Sequence, residues 1–230
     1  MRKVYKLGKE KVVALDDLSL DILSGEICCI LGTSGSGKST LLNLLAGLEK
    51  ASRGSILIRG KNVGKMNERQ LALFRQKNIG FVFQSYNLLS SLSALENVSL
   101  PLVFQGVKKE KREQLARALL QDVGLKTHLK HKPAEMSGGQ QQRVGIARAF
   151  VGSPPIILAD EPTGNLDSKT SLEVIQLMLK LAREKQQTLV IVTHDSEVAD
   201  FADKTVFIRD GKIAEVIMNN TNVGERRDEV

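Results

Sequence analysis

The chain has 230 residues, 42% of them hydrophobic and 26% charged, with a net charge of +7. That length suits one domain, or one with a subdomain, and is enough to bury a large core. No apolar run approaches the roughly 18 residues needed to span a bilayer, and Met1-Arg2-Lys3-Val4-Tyr5-Lys6 holds no apolar core of signal-peptide length, so we expect a cytoplasmic chain or one peripheral on the cytoplasmic face of a membrane.

The basic excess is scattered, aromatics are 4% and tryptophan is absent, so no stacking platform or recognition helix for nucleic acid is expected. The densest run, Lys108-Lys109-Glu110-Lys111-Arg112, opens an amphipathic segment. It reads first as a solvated helix face and second as an attraction to a membrane surface or acidic partner. Cys28 and Cys29 are adjacent in an apolar run, where neighbouring residues point to opposite faces. They are expected as small buried hydrophobes in a reducing compartment, without a bridge.

In chain order, Val13, Leu15, Leu18, Leu20 and Ile22 alternate, predicting an antiparallel strand pair that ends at Ser24-Gly25. The apolar run Glu26 to Leu31 predicts a buried strand, and Leu41-Leu42-Asn43-Leu44-Leu45 a helix after it. Short strands are expected at 55–60 and 79–84, with a helix over 67–77 capped by Asn67. From 85 to 132 strand-like runs vanish and helices are expected near 94–99 and 108–122, ended by Gly124. A helix opening at Ser137 runs to about Val151. The α/β rhythm then resumes: strand 156–160, helix 168–185, strand 188–193, short helix 195–202 and strand 204–209. Asp210-Gly211 is a hairpin signal that pairs 212–217 back, and 218–230 is expected as a polar, frayed tail. The organisation is therefore an α/β core over 1–84 and 152–217, with a helical insertion over 85–151.

Gly32-Thr33-Ser34-Gly35-Ser36-Gly37-Lys38-Ser39-Thr40 lies between the buried strand and its helix. In that setting G-x-x-x-x-G-K-[ST] is a phosphate cradle. Glycines let backbone N–H groups converge on an anion, and the helix N-terminus adds its dipole. Lys38 is placed to reach the β- and γ-phosphates and the Ser39 hydroxyl to ligate Mg²⁺. The chain is expected to bind a nucleoside triphosphate.

Ile156 to Asp160 delivers a carboxylate to the C-terminal end of a buried strand, where ligands of parallel α/β sheets sit. Asp160 is expected to hold Mg²⁺ through water, and Glu161 to stand where a general base for attacking water is needed. Ser137-Gly138-Gly139-Gln140 is a second anion-binding design at a helix N-terminus, though it also reads as a plain cap. Gln84 at a strand end is a weaker signal still, since loop glutamines usually just face solvent. His194 after the strand 188–193 is more often structural than catalytic.

The order of these blocks, from Gly32–Thr40 through Gln84, Ser137–Gln141, Asp160-Glu161 and Asn165-Leu166-Asp167 to His194, resembles the ATP-binding-cassette ATPases over essentially the whole chain. The signature Ser137-Gly138-Gly139-Gln140-Gln141 carries the resemblance, because other phosphate-loop ATPases and GTPases lack it. Met136 stands where the family usually has leucine, a volume-conserving exchange. No Asn-Lys-x-Asp guanine motif occurs, and neither the coiled-coil insertion of the DNA-repair relatives nor the tandem cassettes of the ribosome-acting ones is present.

The resemblance implies an α/β fold: a phosphate-loop, RecA-like parallel-sheet core, an N-terminal antiparallel β part and an inserted α-helical subdomain. It implies ATP and Mg²⁺ as ligands, adenine stacking by Tyr5, and Mg²⁺ contact by Gln84, Ser39 and Asp160. It makes Glu161 the base for the lytic water and His194 the γ-phosphate sensor. It also implies a head-to-tail dimer with a second copy or a paralogue. In that dimer Ser137, Gly138, Gly139 and Gln140 complete the partner's site in trans, and Asp167 couples the two. Only four residues precede Tyr5, where the family has a strand, so that strand is expected to be shortened or to start upstream. Phe81 to Leu88, Leu95-Glu96-Asn97-Val98 and Leu158 to Lys169 are similar to the macrolide-exporter and lipoprotein-releasing branch. An integral membrane permease, touching the insertion near 86–102, is the implied partner.

Overall fold

The computed structural model describes residues 1–8 and 10–219. Residues 220–230, which hold most of the expected tail, lie outside the described residues. The first strand, β1 (Lys3–Leu7), pairs antiparallel with β2 (Glu10–Leu15). The family strand before and around Tyr5 is thus present and five residues long. The expected strand over 12–22 is not: it stops at Leu15. Asp17 takes a left-handed φ of 52°, and the Leu18 N–H donates to the Met1 carbonyl instead of continuing a ladder. Leu18, Leu20 and Ile22 keep their apolar role by packing on the core from an irregular segment. Alternation reported burial there, not pairing.

The central sheet has six strands: β3 (Ile27–Leu31), β6 (Ile79–Val82), β7 (Ile156–Asp160), β8 (Thr188–Thr193), β9 (Lys204–Arg209) and β10 (Lys212–Met218). Their order is β10-β9-β3-β8-β7-β6, with all neighbours parallel except the closing β9–β10 hairpin. Asp210 and Gly211 both have positive φ, 49° and 74°, as the two-residue turn requires. A two-residue hairpin, β4 (Leu57–Ile58) with β5 (Lys61–Asn62), replaces the longer strand expected over 55–60.

Both faces of the sheet are covered, which is why its central strands read as unbroken apolar runs. One face carries α1 (Lys38–Leu45) and α2 (Glu68–Asn78), with Cys28, Ile30, Leu158 and Val192 beneath them. The other carries α5 (Gly138–Phe150) and α6 (Ser168–Glu184), over Cys29, Leu31, Ile157 and Ile191. Cys28 and Cys29 fall on opposite faces, both buried, and burial pushes each thiol up to about 12.

The insertion consists of α3 (Ala94–Phe104), α4 (Lys109–Asp122) and α5, and its apolar side chains run into the same cluster as the α5 face of the sheet. Helix α3 runs past Pro101 to Phe104, because proline removes one N–H while Val98 and Leu102 stay buried on the same stripe. Asn67, Ser93, Ser137 and Asp167 cap α2, α3, α5 and α6 by accepting from a backbone N–H three residues on. Helix α5 presses directly onto β6 at Gly80, where a Cβ would sit 2.1 Å from the Ala149 carbonyl oxygen. Met218 is strand, and the Asn219 amide donates to the carbonyls of Ala199 and Ala202 and to Thr205 Oγ1, so the expected fraying does not begin at 218.

Candidate active site

Parallel register brings three strand ends to one edge. Leu31 of β3 lies opposite Thr193 of β8, and Asp160 of β7 lies opposite Val192. Gly32, Glu161 and His194, each one residue beyond its strand, therefore emerge side by side, which is the ligand-binding edge of such a sheet.

The loop 32–37 then turns into α1. Gly37 sits at φ 105°, and a Cβ there would lie 2.5 Å from the Ala14 carbonyl oxygen, so both conformation and space exclude a side chain. Lys38 is buried and donates to the carbonyls of Gly32 (2.8 Å) and Thr33 (3.0 Å), which holds its ammonium inside the loop. The Ser36 hydroxyl is buried without a partner among the described residues. Ser39 Oγ donates to Asp160 Oδ1 at 3.2 Å, joining α1 to β7. Burial pushes the Asp160 carboxyl above its ordinary value, and the neighbouring Glu161 charge adds to this. The Ser39 hydrogen bond and the Lys38 charge oppose it. A half-buried acid beside a hydroxyl is an oxygen-donor set of the kind a small hard dication takes.

Glu161 has φ 44°, a left-handed backbone for a residue with a Cβ, at a cost of order 1–3 kcal/mol. Its N–H donates to the Val192 carbonyl and its carbonyl accepts from Gly164 N, so the strained turn is clamped from two sides. Glu161 Oε2 lies 2.9 Å from His194 Nδ1, while most of the His194 ring faces outward. The contact ties the turn after β7 to the end of β8.

Gln84 lies beyond the end of β6. Its carbonyl accepts from Asn165 Nδ2 at 3.1 Å, and its amide nitrogen rests against Gly164, 2.7 Å from where a Cβ would sit. The segment from Glu161 to Asp167 thus touches Gln84 midway and ends on the signature. There a cavity of about 370 Å³ is lined by Ser137, Gly138, Gly139, Gln140, Leu166 and Asp167 among others, and by no residue of 32–40. Ser137 and Gln140 form a capping box, with Ser137 N–H donating to Gln140 Oε1 and Gln140 N–H to Ser137 Oγ. Asp167 accepts from both the N–H and the hydroxyl of Thr170, which holds its carboxyl below its ordinary value. The structure gathers Lys38, Ser39, Asp160, Glu161 and His194 in one place and leaves the signature residues in another.

Tyr5, on β1, lies beside Thr40 at the end of the motif, its hydroxyl donating to Glu49 Oε2 at 2.7 Å and one ring face covered by the Lys3 ammonium, 4.8 Å from the centroid. Burial raises the Tyr5 phenol. Burial also acts on Glu49, but the hydrogen bonds from Lys3 and Tyr5 win and hold its carboxyl low.

Three residues here escape a reading by motif: Glu49, Arg148 and Gln142. Arg148, half-buried, donates to the carbonyls of Asn87 (2.6 Å) and Tyr86 (2.8 Å), two residues with left-handed backbones just after Gln84. Gln142 is wholly buried, and its Nε2 donates to the Pro162 carbonyl at 2.5 Å. Its Oε1 is left without a donor among the described residues, a loss of about 1–3 kcal/mol. The signal was periodicity: 142, 145, 146, 149 and 150 recur at helical spacing on the buried side of α5, which 144 and 147 widen.

Residues 15–164 match the family of the ABC transporter. The chain belongs to that family. An ABC transporter ATP-binding protein of Thermotoga maritima is 52% identical over 92% of this chain and 90% of its own length. The lipoprotein-releasing system ATP-binding protein LolD of Chromohalobacter salexigens is 43% identical over 94% of this chain and 91% of its own. The solved dimer of the ATP-binding cassette MJ0796 in a post-hydrolysis state with ADP and Pi superposes with a TM-score of 0.88. It is 43% identical and covers 94% of this chain and 95% of that one. The fold is accordingly the α/β cassette, and the chain is an ATP-hydrolysing nucleotide-binding subunit of an ABC transporter. Among the described residues no helix is long and apolar enough to cross a membrane.

Proposed function

We propose that this cassette dimerises on ATP and uses hydrolysis to drive a membrane permease of the exporter or lipoprotein-release type. The observation that carries the reading is the cluster at one sheet edge, Lys38, Ser39, Asp160, Glu161 and His194, standing apart from the signature cavity. A site whose anion-binding halves are separated within one chain is complete only when a second chain supplies the missing half. The dimer of MJ0796 supports this arrangement by similarity.

In the proposed division of labour, residues 32–40 hold the phosphates, with Ser34, Gly35, Gly37 and Thr40 supplying backbone and cap, and the unpartnered Ser36 hydroxyl accounted for by a phosphate oxygen. Lys38 has one ammonium hydrogen beyond its two carbonyl partners to give to the β/γ-phosphates. Ser39, Asp160 and Gln84 would hold Mg²⁺, which neutralises charge developing between the phosphates. Glu161 accepts the proton of the attacking water, and His194 holds that carboxylate in place while reaching the γ-phosphate. Tyr5 offers its uncovered ring face to adenine. The signature of the partner, Ser137 to Gln140, turns a helix N-terminus toward the γ-phosphate. Asp167 lies where the two sites meet. The insertion 85–151 acts as the subdomain that carries the signature, the rest of the core as the nucleotide platform, and the cassette sits on the cytoplasmic membrane face against its permease. A groove lined by Gln76, Phe81, Phe83, Pro101, Gln105 and Arg148 supports permease docking there, because it lies between core and insertion next to Gln84.

Replacing Glu161 with Gln tests the reading. Turnover should fall by roughly 10²–10⁴-fold while ATP still binds, and size exclusion in Mg-ATP should show a dimer. A monomeric E161Q protein in saturating Mg-ATP would overturn the two-chain site.

A further inference from the structure

We infer that Gln142 is a positioning residue for Glu161, through which the signature helix sets the direction of the base. Pro162 offers only a carbonyl, so the Gln142 amide nitrogen must face it and the amide oxygen is turned toward Gly145, where it finds no donor. An apolar side chain of the same length would fill this wholly buried position on the α5 stripe without leaving a polar atom unpaired. What glutamine adds is the hold on Pro162. The peptide it holds is the one leaving Pro162, the residue next to Glu161, which has a left-handed backbone and its own N–H tied to Val192 on β8. The turn that Glu161 opens is therefore held by β8 at Glu161 and by α5 at Pro162, and α5 begins at the signature serine. Any displacement of α5 when its N-terminus engages a ligand is passed by this one hydrogen bond to the turn that aims the carboxylate.

The inference rests on Glu161 acting as the base. Gln142→Met keeps length and burial and removes the donor. Its kcat should fall about tenfold with KM for ATP unchanged, and its melting temperature should hold or rise. In an E161Q background the same change should alter the residual single-turnover rate less than twofold, because the effect acts through Glu161. Gln142→Glu, isosteric, provides a second arm should Met disturb folding. Its carboxyl donates to Pro162 only when protonated, so its rate relative to the wild type should climb as pH is lowered. An unimpaired kcat in Q142M, an equal loss in the E161Q background, or a flat rate ratio for Q142E would each overturn the role. Undiminished turnover in E161Q alone would instead overturn the reading of Glu161.

Discussion

Two residues at the sheet edge, Asp160 and Glu161, are held in states that cost folding energy. Asp160 shows the sign of this. Its folded value is raised by burial, so the stability it contributes is present below its unfolded value, about 3.9, and is lost as pH rises through the folded one. At neutral pH the nucleotide-free protein therefore bears an ionised, partly desolvated carboxylate. Asp160→Asn should raise the melting temperature of the nucleotide-free protein at pH 7. After allowance for solvent screening the gain should stay under about 1 kcal/mol, or ~2–4 °C at this chain length. The gain should vanish in acid, and hydrolysis should be lost. A lower melting temperature for the variant at pH 7 would contradict the desolvation argument. At this scale Lys38, Ser39, Asp160 and Glu161 were legible in the sequence because each motif states a local geometry: a glycine turn into a helix, or an acid at the end of an apolar strand. The Glu161–His194 contact was not legible, since 33 residues separate them and neither motif names the other.

Helices were more legible than strands. Caps mark helix starts by local chemistry, and Asn67, Ser93, Ser137 and Asp167 all do so. A strand is defined by a neighbour that may lie far along the chain, so the alternation over 12–22 could not say that β2 ends at Leu15 and pairs upstream with β1. One long-range tie holds the opposite end of the sheet. Lys204, first residue of β9, donates to both oxygens of Glu26 (2.8 and 3.1 Å) and to the Asp21 carbonyl, and both side chains are buried. Removing one member leaves a buried charge alone. Lys204→Met should destabilise by ~3–5 kcal/mol, a fall of about 10 °C in melting temperature. Adding Glu26→Leu should recover most of it, and a double variant no better than K204M in thermal melts would show that the pair is not the cause.

For the whole molecule, the separation of the sheet-edge cluster from the signature cavity has a consequence that a mixture can reveal. Lys38→Ala and Ser137→Arg subunits should each be inactive alone. In a head-to-tail dimer containing one of each, one site combines the unaltered loop with the unaltered signature, so mixing should restore turnover in a steady-state ATPase assay. A mixture as inactive as its components would mean that loop and signature serve the same chain.

The sequence by itself determined the chemistry of each segment, the helix caps, the β9–β10 turn and membership of the ABC transporter family, because all of these are written in contiguous residues. Tertiary structure decided what meets what. Parallel register at Leu31, Asp160 and Thr193 aligned three separate motifs on one edge. The close approach of α5 to β6 at Gly80, and the reach of Arg148 to the turn after Gln84, tied the insertion to the core. Gln142 is the clearest instance: in the sequence it is the third glutamine of a run, and only burial against the turn after Glu161 gives its amide a partner, since a hydrogen bond across 20 residues exists only once the chain has folded.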